Sequence, residues 1–365
     1  MVKRIELLKQ WLSEKELDAA FITSTENVFY LSGFHSDPHE RLLALAVFPE
    51  GESFLVCPKM EAEDARKAGW EQEIIGYTDI ENPWESIKKS IEKRGLTLNK
   101  IAIEKEHMNV ERYESLQKYF STPALVSAEE KLRELRMIKD EKELEIIREA
   151  CKLADFAVEV GVNEMKEGKT EMDVLAAIEY ELKRKGINKM AFSTMVLTGA
   201  NAASPHGTPG MTKIQKGDLV LFDLGVVLNG YCSDITRTVA YYDVNEKQKE
   251  IYETVLKAQV AAVNATKPGK TASEIDLTAR NIISEAGYGE YFPHRLGHGL
   301  GISVHEYPSM TETNGLVLKE GMVFTIEPGI YVPNVAGVRI EDDLLVTKDG
   351  VEILTKFPKE LQIIK

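Results

Sequence analysis

Cysteine is scarce. Cys57, Cys151 and Cys232 are the three in 365 residues, widely spaced and without a CxxC. That excludes a disulfide framework and a zinc finger and leaves three buried thiols as the expectation. Long apolar runs are missing as well: no stretch approaches the roughly 18 residues of a membrane span. The opening MVKRIELLKQWLSEKELDA has charged residues at helical spacing and neither the apolar core nor the cleavage site of a signal peptide. A cytoplasmic protein with no membrane partner is expected. Positive charge is in deficit, with 45 Lys and Arg against 59 Asp and Glu and a formal charge of −14. No basic run offsets this, so nucleic acid would be repelled. There is no GxSxG, and no cysteine sits in an activating motif, which disfavours covalent catalysis.

What is present is a set of acids in short, strand-like segments. Residues 218–241 read DLVLFDLGVVLNGYCSDITRTVAY, two apolar runs broken by Asn229-Gly230. Asn-Gly is the strongest short hairpin signal, because both central residues of a type I′ turn need positive φ. With that turn, Leu228 faces Tyr231 and Asp223 faces Thr236. Asp234 lies two positions from Thr236, on the same sheet face. Asp223 and Asp234 become diagonal neighbours at roughly 7 Å or less between Cβ atoms, close enough to share a metal pair about 3.5–4 Å across. A second apolar–turn–apolar unit runs through 322–332 (MVFTIEPGIYV) and 337–347 (GVRIEDDLLVT). It sets Glu327 and Glu341 near opposite positions, with a bulge expected at Pro328-Gly329.

His298 lies in FPHRLGHGLGISVHEYP, where Gly297, Gly299 and Gly301 allow close backbone approach. His206 occupies TGANAASPHGTPG, a loop composition that builds a pocket wall. A lone histidine or strand carboxylate is usually structural. Four carboxylates and an imidazole together form a hard, mostly oxygen donor set that suits two divalent cations sharing carboxylates better than one structural zinc.

The order His206, Asp223, Asp234, His298, His305, Glu327, Glu341 is carried in DLG (223–225), SDITRT (233–238), GHGLG (297–301), EPGIY (327–331) and GVRIED (337–342). It resembles that of the pita-bread metallopeptidases, which include methionine aminopeptidases, Xaa-Pro aminopeptidases and Xaa-Pro dipeptidases (prolidases). The resemblance is greatest to bacterial prolidases and covers essentially the whole chain.

The length calls for two domains. Strand-like runs at 19–23, 42–48, 53–57 and 101–103 alternate with helical stretches at 3–17, 59–69, 83–94 and 110–119, a small α/β domain placed at 1–125. Residues 121–130 read as a linker. Beyond it, helical patterns at 128–161, 170–185, 245–265 and 271–287 accompany the hairpins, an α+β plan for a domain at 126–365. The charge run KDEKELE at 139–145 reads as a solvated helix face. The resemblance turns this into a creatinase-like N-terminal domain followed by a pita-bread catalytic domain of two similar halves about a pseudo-twofold axis.

The resemblance implies metal-dependent hydrolysis of Xaa-Pro dipeptides by a hydroxide bridging two divalent cations. Manganese is the first choice, with cobalt or zinc open. The ligands are Asp223, Asp234, His298, Glu327 and Glu341. Glu327 is also the candidate general base, His206 and His305 the candidate oxyanion donors, and Arg339 the partner of a ligand carboxylate. For the substrate carboxylate the first candidate is Arg295, with His294 and Phe192 as further contacts. In bacterial prolidases, which are dimers, an N-domain loop reaches the partner's site, so the loop GFHSDPHERLL (33–43) brings in Asp37, His39 and Arg41 and a homodimer is expected. An Xaa-Pro aminopeptidase acting on longer peptides and a non-catalytic peptide-binding module are the alternatives.

Overall fold

A computed structural model of the chain describes residues 2–365. The chain divides into two compact units, Met1–Arg136 and Met137–Lys365. No helix among the described residues is long and apolar enough to cross a membrane. All three cysteines are buried, as expected.

In the first unit, strands β1 (Ala19–Ile22), β2 (Ala44–Val47), β3 (Phe54–Pro58), β4 (Glu73–Tyr77), β5 (Lys100–Ile103) and β6 (Ala124–Ser127) form one sheet in the order β4-β3-β2-β1-β5-β6. Helices α1 (Val2–Glu14), α2 (Thr25–Ser32), α3 (Ala62–Lys67), α4 (Pro83–Lys93), α5 (Val110–Tyr119) and α6 (Glu129–Met137) intervene or flank. The mixed α/β reading holds, and Phe21, Phe54, Trp84 and Ile101 lie in the buried core. Residues 124–127, expected in a linker, instead pair in parallel with β5, Lys100 opposite Ala124. The Ala-Leu-Val triplet is too short to show a period, so composition alone hid it.

The second unit begins with α7 (Glu141–Glu164) and α8 (Glu171–Arg184). Then come β7 (Lys189–Met190), β8 (Met195–Thr198), β9 (Leu219–Leu224), β10 (Val226–Leu228), β11 (Tyr231–Cys232) and β12 (Ile235–Tyr241). Helices α9 (Glu246–Ala265) and α10 (Ala272–Glu285) follow. The chain closes with β13 (Gly297–Gly299), β14 (Glu306–Met310), β15 (Val323–Ile326), β16 (Gly329–Val332), β17 (Ala336–Arg339), β18 (Asp342–Val346), β19 (Val351–Ile353) and β20 (Ile363–Ile364).

Two cores result. Ala154, Val158, Val174 and Ile178 of α7 and α8 pack on Val220, Phe222 and Ile235. Tyr252, Val255, Ile275 and Ala279 of α9 and α10 pack on Phe324, Ile326, Val338 and Leu344. The two larger sheets are β20-β12-β9-β8 and β14-β13-β15-β18-β19, with smaller ladders β11-β10-β7 and β16-β17. β12 meets the β17–β18 segment where Thr236 carbonyl accepts from Glu341 N–H at 3.1 Å and Thr238 Oγ1 donates to Arg339 carbonyl at 3.0 Å.

The single helix expected over 128–161 is two. Asp140 accepts from Glu143 N–H while Glu143 reaches back to Asp140 N–H, a capping box that restarts the chain as α7. The run 139–145 is not wholly solvated either. Lys139 and Glu143 are buried; Lys139 Nζ meets Glu306 at 3.4 Å and Glu143 accepts from Tyr231 Oη at 2.9 Å.

Candidate active site

The first acidic hairpin has the register its turn dictates. Leu228 lies opposite Tyr231 and Asp223 opposite Thr236, and Asn229 and Gly230 have φ of 48° and 84°. Asp223 and Asp234 are both buried. In the second hairpin Ile326 faces Asp342 and Gly329 faces Arg339. The register is the same on both sides, so Glu327 and Glu341 fall opposite each other. The bulge expected at Pro328-Gly329 is an interruption without slippage: Pro328 has no N–H to give, and its carbonyl accepts weakly from Ile340 N–H at 3.4 Å. The register shift occurs instead between His298 and Gly299, on the β13–β14 ladder. There a Cβ on residue 299 would lie 2.2 Å from Tyr307 carbonyl oxygen, so glycine permits the approach that turns His298 inward.

These elements bring three donors together. One ligand atom each of Asp234, His298 and Glu341 lie within 4.8 Å of one another. His298 Nε2 is 3.7 Å from Asp234 Oδ2 and 3.3 Å from Glu327 Oε1. His298 Nδ1 sits 3.1 Å from Gly299 carbonyl oxygen. A carbonyl can only accept, so the proton is on Nδ1 and the Nε2 lone pair faces the acids, the arrangement of a metal-binding imidazole. Burial, then the neighbouring His305, holds the His298 ring down to about 3, so it is neutral. Asp223 Oδ2 accepts from Arg339 Nη2.

A cavity of about 380 Å³ is lined by all four acids and His298, with Phe192, His206, His294, Arg295, His305 and Arg339 joining Asp223, Asp234, His298, Glu327 and Glu341. His305 packs edge-on to His298 with ring centroids 4.2 Å apart. Arg295 Nη1 donates to Ser309 Oγ at 3.2 Å. Asp37, His39 and Arg41 are not among the lining residues. They belong to the first unit, where Arg41 makes a two-point pair with Asp79 at 2.8 and 3.3 Å.

The electrostatics favour a cation. Asp234 Oδ1 and Glu341 Oε1 are buried and have no hydrogen-bond partner. Burial, then the charge of Glu341, drives the Asp234 carboxyl well above its ordinary range; burial, then Glu327, does the same to Glu341. Burial pushes Glu327 up to about 7. Crowded, desolvated carboxylates with unsatisfied oxygens are costly unless something positive sits among them. Hard oxygen donors with one imidazole fit divalent cations.

Three residues at the site escaped the sequence reading. Thr236 Oγ1 donates to Glu341 Oε2 at 2.6 Å and accepts from Arg339 Nε at 3.2 Å. Thr325 Oγ1 donates to Glu327 Oε1 at 3.3 Å and accepts from His298 N–H at 3.2 Å. Tyr331 Oη meets Arg339 Nη1 at 2.7 Å and His294 Nε2 at 2.9 Å. Tyr331 was within reach, since a hairpin that puts Gly329 opposite Arg339 makes Tyr331 its diagonal neighbour.

Comparison with known proteins gives the family. The model for metallopeptidase family M24 matches residues 145–348, and that for the creatinase/prolidase N-terminal domain matches residues 4–138. The chain belongs to metallopeptidase family M24. It is 58% identical over 363 residues to a Bacillus subtilis (strain 168) protein named "Putative dipeptidase YkvY", covering 100% of both chains. Among solved structures, the prolidase from Pyrococcus horikoshii OT3 is 40% identical with a TM-score of 0.91, covering 98% of this chain and 99% of that one. An Xaa-Pro dipeptidase from Bacillus anthracis is 33% identical with a TM-score of 0.92 and 99% coverage of each chain. The chain is thus a metallopeptidase with the α+β, pita-bread architecture preceded by a creatinase-type domain. The family implies divalent metal ions, which the donor set accommodates.

Proposed function

We propose that this metallopeptidase hydrolyses Xaa-Pro dipeptides, with two divalent cations, manganese first, held by Asp223, Asp234, His298, Glu327 and Glu341. Such cations, when bound, lower the pKa of water to about 7 and so supply a nucleophile at neutral pH. Glu327, beside His298, takes the proton of the attacking water and hands it to the leaving nitrogen. His206 and His305 flank the cavity on separate loops and donate to the oxygen that gains charge. Arg339, buried and bound to Asp223, Tyr331 and Thr236, fixes the orientation of the Asp223 carboxylate. Arg295, beside His294, receives the substrate carboxylate, and Phe192 supplies an apolar wall for the proline ring. In a homodimer the 33–43 loop, with Asp37, His39 and Arg41, would reach the site of the other subunit and add a contact to that carboxylate; an unchanged KM for Ala-Pro in Arg41→Ala removes it.

The observation that carries the reading is the convergence of Asp234, His298 and Glu341, with two buried carboxylate oxygens left without partners. The small cavity, at the low end of ligand pockets, supports a small substrate. The names of the Pyrococcus and Bacillus anthracis neighbours support the dipeptide. The test compares hydrolysis of Ala-Pro and Ala-Pro-Ala with added manganese and with chelator. Manganese-dependent cleavage of Ala-Pro is expected. Preference for the tripeptide makes the chain an aminopeptidase, and no turnover of either makes it a binding module. A cytoplasmic homodimer belongs to the same reading and is checked by light scattering.

A further inference from the structure

His206 reaches the cavity from a long connection between β8 and β9, and its ring is exposed. Its position therefore depends on how the loop backbone is held. One carboxylate holds it from both ends. Glu171, at the first position of α8, is fully buried. Its Oε1 accepts from Thr198 N–H at 2.8 Å, where the chain leaves β8. Its Oε2 accepts from Gly210 N–H at 2.7 Å, after His206. Asn201 Nδ2 lies 3.0 Å from both oxygens and 3.2 Å from Thr208 carbonyl oxygen, stapling the loop across its middle. The backbone continues the attachment, since Glu171 N–H donates to Thr212 carbonyl and Met172 N–H to Gly210 carbonyl. On the far side, Arg339 Nη1 reaches Pro205 carbonyl at 3.5 Å.

We propose that Glu171 is a positioning residue for the reaction: its carboxylate, through Thr198, Asn201 and Gly210, sets where His206 presents its imidazole to the substrate. This rests on the role assigned to His206 above. A buried carboxylate with every oxygen matched to a donor tolerates no exchange for an amide of the same shape. In Glu171→Gln, whichever way the amide is turned, an NH₂ faces a backbone N–H, at Thr198 or at Gly210, and the loop must shift. Misplacement of a catalytic group by about 1 Å costs up to about 100-fold in rate.

The test is a double-mutant cycle on the manganese-loaded enzyme with Ala-Pro as substrate. Glu171→Gln is expected to lower kcat about 10- to 100-fold while metal content and KM stay near those of the parent. In a His206→Ala background it should lower kcat further by less than about twofold, because the two changes act through one group. Equal losses in both backgrounds, or a parent-like kcat in Glu171→Gln, overturns the inference. If Glu171→Gln does not fold, Asn201→Ala enters the same cycle, with the same coupling expected and the same additivity rejecting it. The His206→Ala arm alone reports on the role of His206: an unchanged kcat there rejects that role, whereas a slow His206→Ala beside additive losses rejects only the part given to Glu171.

Discussion

Stripping the metals should make the protein's stability depend on pH in a direction set by the buried acids. In the metal-free protein, raising the Glu327 carboxyl from 4.5 to about 7 is worth roughly 3 kcal/mol. Below pH 4.5 the group is protonated in both folded and unfolded chains and costs nothing. Between 4.5 and 7 the unfolded chain releases its proton while the folded one keeps it, so stability falls as pH rises. Above 7 the full cost applies. Asp234 and Glu341, shifted in the same direction, add to the effect. Bound cations offset the cost by pairing with the ionised oxygens. For a unit of this size about 1 kcal/mol corresponds to about 2–4 °C, so the gap in Tm between manganese-loaded and chelated protein should widen by about 6–12 °C from pH 5 to pH 7.5. Scanning calorimetry of both forms across that range measures it. A gap that is constant with pH, or that narrows as pH rises, refutes the reasoning.

Other perturbations have sharper targets. Arg339→Met leaves Asp223 buried without its ion-pair partner and should cost roughly 3–5 kcal/mol, read by denaturant unfolding of the chelated protein. Thr236→Val removes the hydroxyl that donates to Glu341 at 2.6 Å, and equilibrium dialysis should show manganese bound about 10–100-fold more weakly. At Gly337 a Cβ would lie 1.7 Å from Ala202 carbonyl oxygen, so Gly337→Ala must push the His206 loop away. It should destabilise the fold by about 1–3 kcal/mol and lower kcat for Ala-Pro.

The sequence was most legible where a local rule had no competitor. Asn229-Gly230 set the first hairpin, and the Asp223–Thr236 pairing followed from counting outward from the turn. The sequence sets Glu327 and Glu341 near opposite positions only to within a residue, because Pro328 suggests a bulge there; the ladders on both sides keep one register, and the register shift lies at His298-Gly299. There the deciding contact is with Tyr307, eight residues away and invisible to local pattern. The helix over 128–161 carried its own break, since Asp140 and Glu143 are a capping box, but unbroken amphipathic periodicity masked it. Lys139 and Glu143 looked solvated because charge usually is. Their partners, Glu306 and Tyr231, come from distant segments. The same limit hid Glu171, Thr236 and Thr325. Their hydrogen bonds join segments far apart in sequence: Glu171 to Thr198 and Gly210, Thr236 to Glu341, and Thr325 to His298.

The most direct measurement is the manganese content of the full chain, set against its activity. Two cations per chain are expected for the parent protein, with Ala-Pro hydrolysis lost on chelation and restored by manganese. Glu341→Gln should bind fewer than two and hydrolyse Ala-Pro far more slowly. Undiminished hydrolysis by metal-stripped protein, or a parent chain that binds no divalent cation, would contradict a centre built on Asp234, His298 and Glu341.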